Sequence, residues 1–108
     1  MLEVTKDNFD AEVLAADGLV VVDFWSEKCE PCMALMPDFT ALAEEFGDRA
    51  IFAKLNTAGN KRLAIAQKVM GVPAILFYRN GEKVKTLNQE EIEEGGIAAI
   101  KSALLELL

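Results

Sequence analysis

A chain of 108 residues buries roughly 60 to 70% of its unfolded surface, enough for one core without staples, so residues 1–108 read as a single domain. The 18 Asp and Glu against 11 Lys and Arg leave a net charge of −7, which makes a nucleic-acid backbone or an anionic membrane a poor partner. The complete lack of histidine excludes His-based acid–base catalysis, serine and cysteine triads, and most zinc enzymes.

Leu2 to Thr5 reads as a short first strand, and Thr5 or Asp7 can cap a helix running through Phe9, Val13 and Leu14 toward Gly18. Leu19 to Trp25 is a continuous run rich in β-branched and aromatic residues, the pattern of a strand buried on both faces. Leu35, Phe39, Leu42 and Phe46 then recur at helical spacing until Gly47 supplies a C′ stop, with Pro37 expected to kink the helix. Ile51 to Asn56 reads as a third strand, and Thr57 to Asn60 as a polar connection broken at Gly59. Leu63, Ala64, Gln67 and Met70 trace a further helix that stops at Gly71. Val72 precedes a proline and is pushed into extended geometry. Ala74 to Tyr78 gives a fourth strand, Asn80-Gly81 a two-residue hairpin, and Glu82 to Leu87 a fifth strand. The last helix carries Ile97, Ile100, Leu104 and Leu107 on one face, with Gly95-Gly96 near its start. The order β-α-β-α-β-α-β-β-α implies a mixed sheet covered by helices on both faces. Its helix-linked strands are expected to be parallel, and its hairpin pair antiparallel.

Cys29 and Cys32 fall where the buried strand hands over to a helix N-terminus, and Pro31 suits a first turn that has N–H groups to spare. A thiolate on Cys29 would face those N–H groups and the positive end of the helix dipole, which lowers a cysteine pKa. A disulfide closing so short a loop removes little chain entropy, so reactivity explains the pair better than stability. No apolar run approaches the ~18 residues of a membrane span, and MLEVTKDNF lacks an apolar signal core, so a reducing, cytoplasmic setting is expected. There a Cys-x-x-Cys means redox or metal chemistry. A metal site would need two more soft ligands, and the chain has no other Cys or His, which leaves only a site bridged between subunits. Asp23 interrupts the buried strand. An unpaired carboxylate there takes a raised pKa and can serve as a general base beside a thiol, unless it is solvated or capping at the strand end.

VVDFWSEKCEPC, KLN at Lys54 to Asn56, GVP at Gly71 to Pro73 and NGE at Asn80 to Glu82 together resemble the thioredoxin family, in that family's order and over almost the whole chain. The resemblance implies a three-layer α/β/α sandwich with a mixed central sheet. It implies a thiol–disulfide oxidoreductase that reduces protein disulfides, is recharged by a thioredoxin reductase, works as a cytoplasmic monomer, and needs no cofactor or metal beyond the redox disulfide Cys29–Cys32. By the same resemblance Cys29 is the nucleophile, Cys32 the resolving thiol, and Asp23 the aid to proton transfer. Lys54 lies near that carboxylate, in an electrostatic role or as a snorkelling strand lysine. Trp25 packs under the active-site loop, Pro73 is cis and faces the cysteines, and Val72 offers backbone groups to a bound substrate strand. Lys28, Glu30 and Pro31 complete the substrate surface.

The chain departs from the family pattern in three places. Lys28 stands where the family has tryptophan and Glu30 where it has glycine. Their opposite effects on Cys29 largely cancel once screened, so partner choice is the expected consequence. Thr86 to Gln89 lacks the glycine the family places beside the groove. Met36 reads as core and Met33 as added apolar contact surface, while Glu90, Glu91, Glu93 and Glu94 read as a solvated face or the start of the last helix. The Cys-Glu-Pro-Cys tetrapeptide resembles those of specialised thioredoxins in amino-acid-fermenting anaerobes that serve glycine reductase, which implies a dedicated donor to one reductase or peroxidase as an alternative. A redox-inert binding module on the same scaffold is a third reading, against which the cysteine pair, Asp23 and Pro73 argue.

Overall fold

Seven consecutive residues, Leu19–Trp25, form β2, and all seven are buried. The computed structural model, which describes residues Met1–Leu108, shows why: β2 is the middle strand of a five-stranded sheet ordered β1-β3-β2-β4-β5. β1 (Leu2–Glu3) and β2 both pair in parallel with β3 (Ile51–Asn56), and β2 pairs antiparallel with β4 (Ala74–Arg79). β4 in turn pairs antiparallel with β5 (Glu82–Leu87) through the Asn80-Gly81 turn, where both residues take positive φ. A Cβ on Gly81 would stand 2.2 Å from the Leu14 carbonyl oxygen, so the turn tolerates no side chain there.

Alternation along β2 divides the core into two layers. Leu19 and Val21 face α1 (Glu30–Phe46) and α3 (Gln89–Leu107), packing with Leu35, Phe39, Ile100 and Leu104. Val20, Val22 and Phe24 face the other way, onto Phe9 and Val13 and onto Ala64 of α2 (Lys61–Ala66). Asp23 and Trp25 therefore share the face of Leu19 and Val21, on which α1 lies.

Strand β4 runs opposite to the parallel crossover expected after a helix. Helix lengths account for the reversal: 17 residues of α1 span about 26 Å, enough to return along a strand, whereas the six of α2 cover about 9 Å. A six-residue strand is about 20 Å long, so α2 is too short to carry the chain back along the sheet as α1 does. It re-enters at the end it left, with Ala74 beside Phe24 and Asn56 beside Trp25.

Other elements differ from expectation in detail. The segment after β1 is a turn initiated at Thr5 and a single π-helical turn over Asp10–Leu14, closed by the Ala15 N–H on the Asp10 carbonyl. The helix predicted through Leu63 and Met70 ends well before Gly71, because Lys68 takes φ 65°. The Lys68 N–H then bonds Ile65 and the Val69 N–H bonds Ala64, a left-handed cap that turns Met70 out to solvent. Gly47 closes α1 with right-handed dihedrals rather than as a left-handed C′ residue, and α1 continues through Pro37. Gly95-Gly96 lies within α3 rather than near its start. An Asn88–Glu91 capping box begins the helix ahead of the acidic cluster, and Gly96 (φ 59°, ψ −152°) breaks it into two segments. Met36 is half-buried, and Met33 is exposed.

Candidate active site

The carboxyl ends of β2 and β3 and the start of β4 meet at one end of the sheet, where parallel strands deliver backbone and side chains to a common crevice. Ser26 to Cys29 leaves β2 as a tight turn, with the Cys29 N–H on the Ser26 carbonyl at 3.1 Å and the Lys28 N–H on Ser26 Oγ at 3.3 Å. Cys29 is the N-cap of α1. Its backbone is extended (φ −95°, ψ 102°), and its Sγ accepts the Cys32 N–H at 3.2 Å. The helix start thus presents a donor and its positive dipole end to that sulfur, and both stabilise negative charge on it.

Cys29 and Cys32 are joined by a disulfide with Cα atoms 5.2 Å apart. Cys29 is partly exposed and Cys32 fully buried, one helical turn behind it. The residues around the pair are arranged unequally: Lys28, Glu30 and Pro31 are exposed, Val72 is half-buried, and Pro73 is buried behind a cis Val72–Pro73 peptide.

Asp23 stands in the interior below this rim. Its side chain has no exposure, and neither carboxylate oxygen has a hydrogen-bond partner. Burial pushes its pKa up to about 7, while the nearby Lys54 charge pulls in the opposite direction. Lys54 is the parallel neighbour of Asp23 across β2 and β3, on the same face. No ion pair closes between them, and the Lys54 Nζ instead lies 5.8 Å over the Trp25 ring. Trp25 is nearly buried, its Nε1 lacks a partner, and its carbonyl anchors the β3–α2 loop by accepting from the Thr57 N–H (2.9 Å) and Thr57 Oγ1 (3.2 Å).

The structure also brings to this rim Glu93, which the sequence places on a solvated face or at the start of the last helix, and Asp38 and Ile92, to which the sequence assigns no role. Asp38 on α1 and Ile92 and Glu93 on α3 line a groove with Pro31 and Pro73. The signal was present in the spacing of Pro31, Ala34, Leu35 and Asp38, which fall at i, i+3, i+4 and i+7 of one helix and so form a single stripe.

A partly exposed sulfur at a helix N-terminus, a buried partner sulfur one turn on and an unpaired buried carboxyl in the strand beneath define a protein that shuttles between dithiol and disulfide. The Thioredoxin family model matches residues 1–102. The chain is 45% identical over 100 residues to the thioredoxin of Acetoanaerobium sticklandii, covering 93% of this chain and 95% of that one. It is 43% identical over 100 residues to the thioredoxin of Peptoclostridium acidaminophilum, covering 93% and 91%. It is 42% identical over 84 residues to that of Streptomyces clavuligerus, covering 78% of each. The chain belongs to the thioredoxin family and is a protein-disulfide oxidoreductase whose working group is its own cysteine pair.

Proposed function

We propose that residues 1–108 work as one cytoplasmic, monomeric unit that reduces disulfides in other proteins and is recharged by a thioredoxin reductase. Cys29 attacks: its thiolate bonds one sulfur of the target disulfide, the target S–S bond breaks, and the departing target thiolate takes a proton. Cys32 then resolves the adduct. Its thiol gives its proton to Asp23, its sulfur bonds the Cys29 sulfur, the mixed disulfide breaks, and the second target thiolate leaves and is protonated. Of the two protons the target thiolates take, one comes from solvent, to which Cys29 lost its own on ionising, and one from Asp23. Two electrons thus pass from the cysteine pair to the target, and the reductase restores the dithiol.

The observation that carries this order is the inequality of the two sulfurs. Cys29 Sγ is partly exposed and holds the Cys32 N–H, while Cys32 has no exposure at all, so an incoming disulfide reaches only Cys29. Asp23 supports the second step, because a carboxyl with a pKa of about 7 can both accept and release a proton near neutral pH. In this reading Trp25 and Lys54 hold the floor of the site, and Val72, Pro73, Lys28, Glu30 and Pro31 form the rim that meets the substrate. The test is disulfide reduction of a generic protein substrate by wild type, Cys29→Ser and Cys32→Ser. Wild type turns over, Cys29→Ser is inactive, and Cys32→Ser stops as a covalent adduct; activity surviving in Cys29→Ser would overturn the order of attack.

A further inference from the structure

A groove runs from the rim of the cysteine pair between α1 and α3. Pro31, Leu35 and Asp38 line one wall, Ile92 and Glu93 the other, and Pro73 lies between them, enclosing about 320 Å³. Pro31 and Pro73 belong equally to the reactive rim, so whatever fills the groove is continuous with a disulfide at Cys29. The lining combines an apolar part, formed by Leu35, Ile92 and the prolines, with two exposed carboxylates.

The charge of the groove is uncompensated. No Lys or Arg lines it, and the chain's one ion pair, Lys101 with Glu45, uses neither carboxylate. Asp38 has no side-chain hydrogen bond, and Glu93 accepts only from Gln89 Nε2, at 3.1 Å. The neighbouring depression that begins at Val72 has the opposite character: Thr57, Lys61, Ile65 and Met70 line it, with no acidic residue. The backbone sets Glu93 in place through a local break. Gly96, which itself lines the groove, takes dihedrals open only to glycine and separates the segment carrying Ile92 and Glu93 from the rest of α3.

We propose that this groove receives a basic segment of the disulfide-bearing partner, with a Lys or Arg near the target cysteine set between Asp38 and Glu93 and its aliphatic stem laid over Leu35 and Ile92. Long cationic side chains are suited to such a lining, because stem and head meet apolar and anionic surface respectively. The inference rests on the thiol–disulfide reading of Cys29 and Cys32 and adds the substrate class. Uncompensated carboxylates at a reactive rim raise the encounter rate of cationic segments and suppress that of anionic ones.

Three cystine-bridged peptide dimers, alike except for Lys, Ser or Glu on either side of the cysteine, test this with the reduced protein at low ionic strength. Wild type should reduce the Lys peptide with a kcat/KM about tenfold above that of the Glu peptide, a range ordinary for electrostatic steering. The Asp38→Asn/Glu93→Gln double variant should bring that ratio below about threefold, and Asp38→Lys/Glu93→Lys should invert it. Removing the same two charges elsewhere, with Glu44→Gln/Asp48→Asn, should leave the ratio as in wild type. The proposal is overturned if wild type reduces the Ser peptide but shows no charge preference, or if the remote pair removes the preference as fully as the groove pair does. Failure of wild type to reduce any of the three peptides would overturn the thiol–disulfide reading beneath it.

Discussion

Replacing Asp23 by asparagine should stabilise the oxidised protein increasingly as pH rises. Asp23 is fully buried and unpaired, and its pKa is raised from 3.8 to about 7, chiefly by burial. Between those values the unfolded chain has already lost the proton and the folded chain still holds it. The folded state binds more protons there, so this residue's contribution is fully present below 3.8 and is lost as pH climbs through about 7. From 3.8 to about 7 is about 3 pH units, and at about 1.4 kcal/mol per unit the loss comes to about 4 kcal/mol. That is a large share of the roughly 5 to 15 kcal/mol by which a domain is folded. The amide that replaces the carboxyl has no proton to lose, so the difference between variant and wild type isolates the ionisation. Urea unfolding of both oxidised proteins from pH 4 to 9 reads it: the stability difference should grow with pH by about 4 kcal/mol and level off above about pH 8. A difference constant across that range, or one that shrinks as pH rises, would refute the picture of a carboxyl kept neutral by burial.

Two further changes probe the surroundings. Lys54→Met removes the positive charge that opposes the burial effect on Asp23, so the midpoint of the same stability profile should move to higher pH; an unmoved midpoint would reduce Lys54 to a snorkelling strand residue. Lys68→Gly relieves a side chain held at φ 65° in the cap of α2 and should raise stability by about 1 kcal/mol, read as a melting temperature about 4 to 8 °C higher; a fall would refute it.

Where a segment's own residues decide its structure, the sequence was legible. β3 and β5 carry their predicted limits, β4 runs one residue longer, and the Asn80-Gly81 turn forms as its dipeptide requires. The Cys29–Cys32 handover from strand to helix was legible for the same reason: Pro31 and the apolar spacing after it leave little choice. Features set by distant partners were not. Lys68 in a left-handed cap has no sequence signal, since glycine is the expected occupant, and it ends α2 early. That short helix then sends β4 back antiparallel, against a rule that assumes helices long enough to recross the sheet. The Glu93 cluster read as solvated because its spacing says nothing of Pro73, which the fold alone brings beside it.

The cap at Cys29 ties the reaction to the backbone. A sulfur within a disulfide is a weak acceptor for the Cys32 N–H, whereas a thiolate in the same place forms a charge-assisted bond. Reduction therefore tightens the opening turn of a 17-residue helix as it releases the cross-link. In the proposed order of attack, a bond from Cys29 to a target sulfur would remove that charge and slacken the grip on the N–H, at the stage when Cys32 would have to leave its buried place and advance. On that proposal Cys32 is held most firmly while the protein waits for a substrate, and is freed by the substrate's arrival.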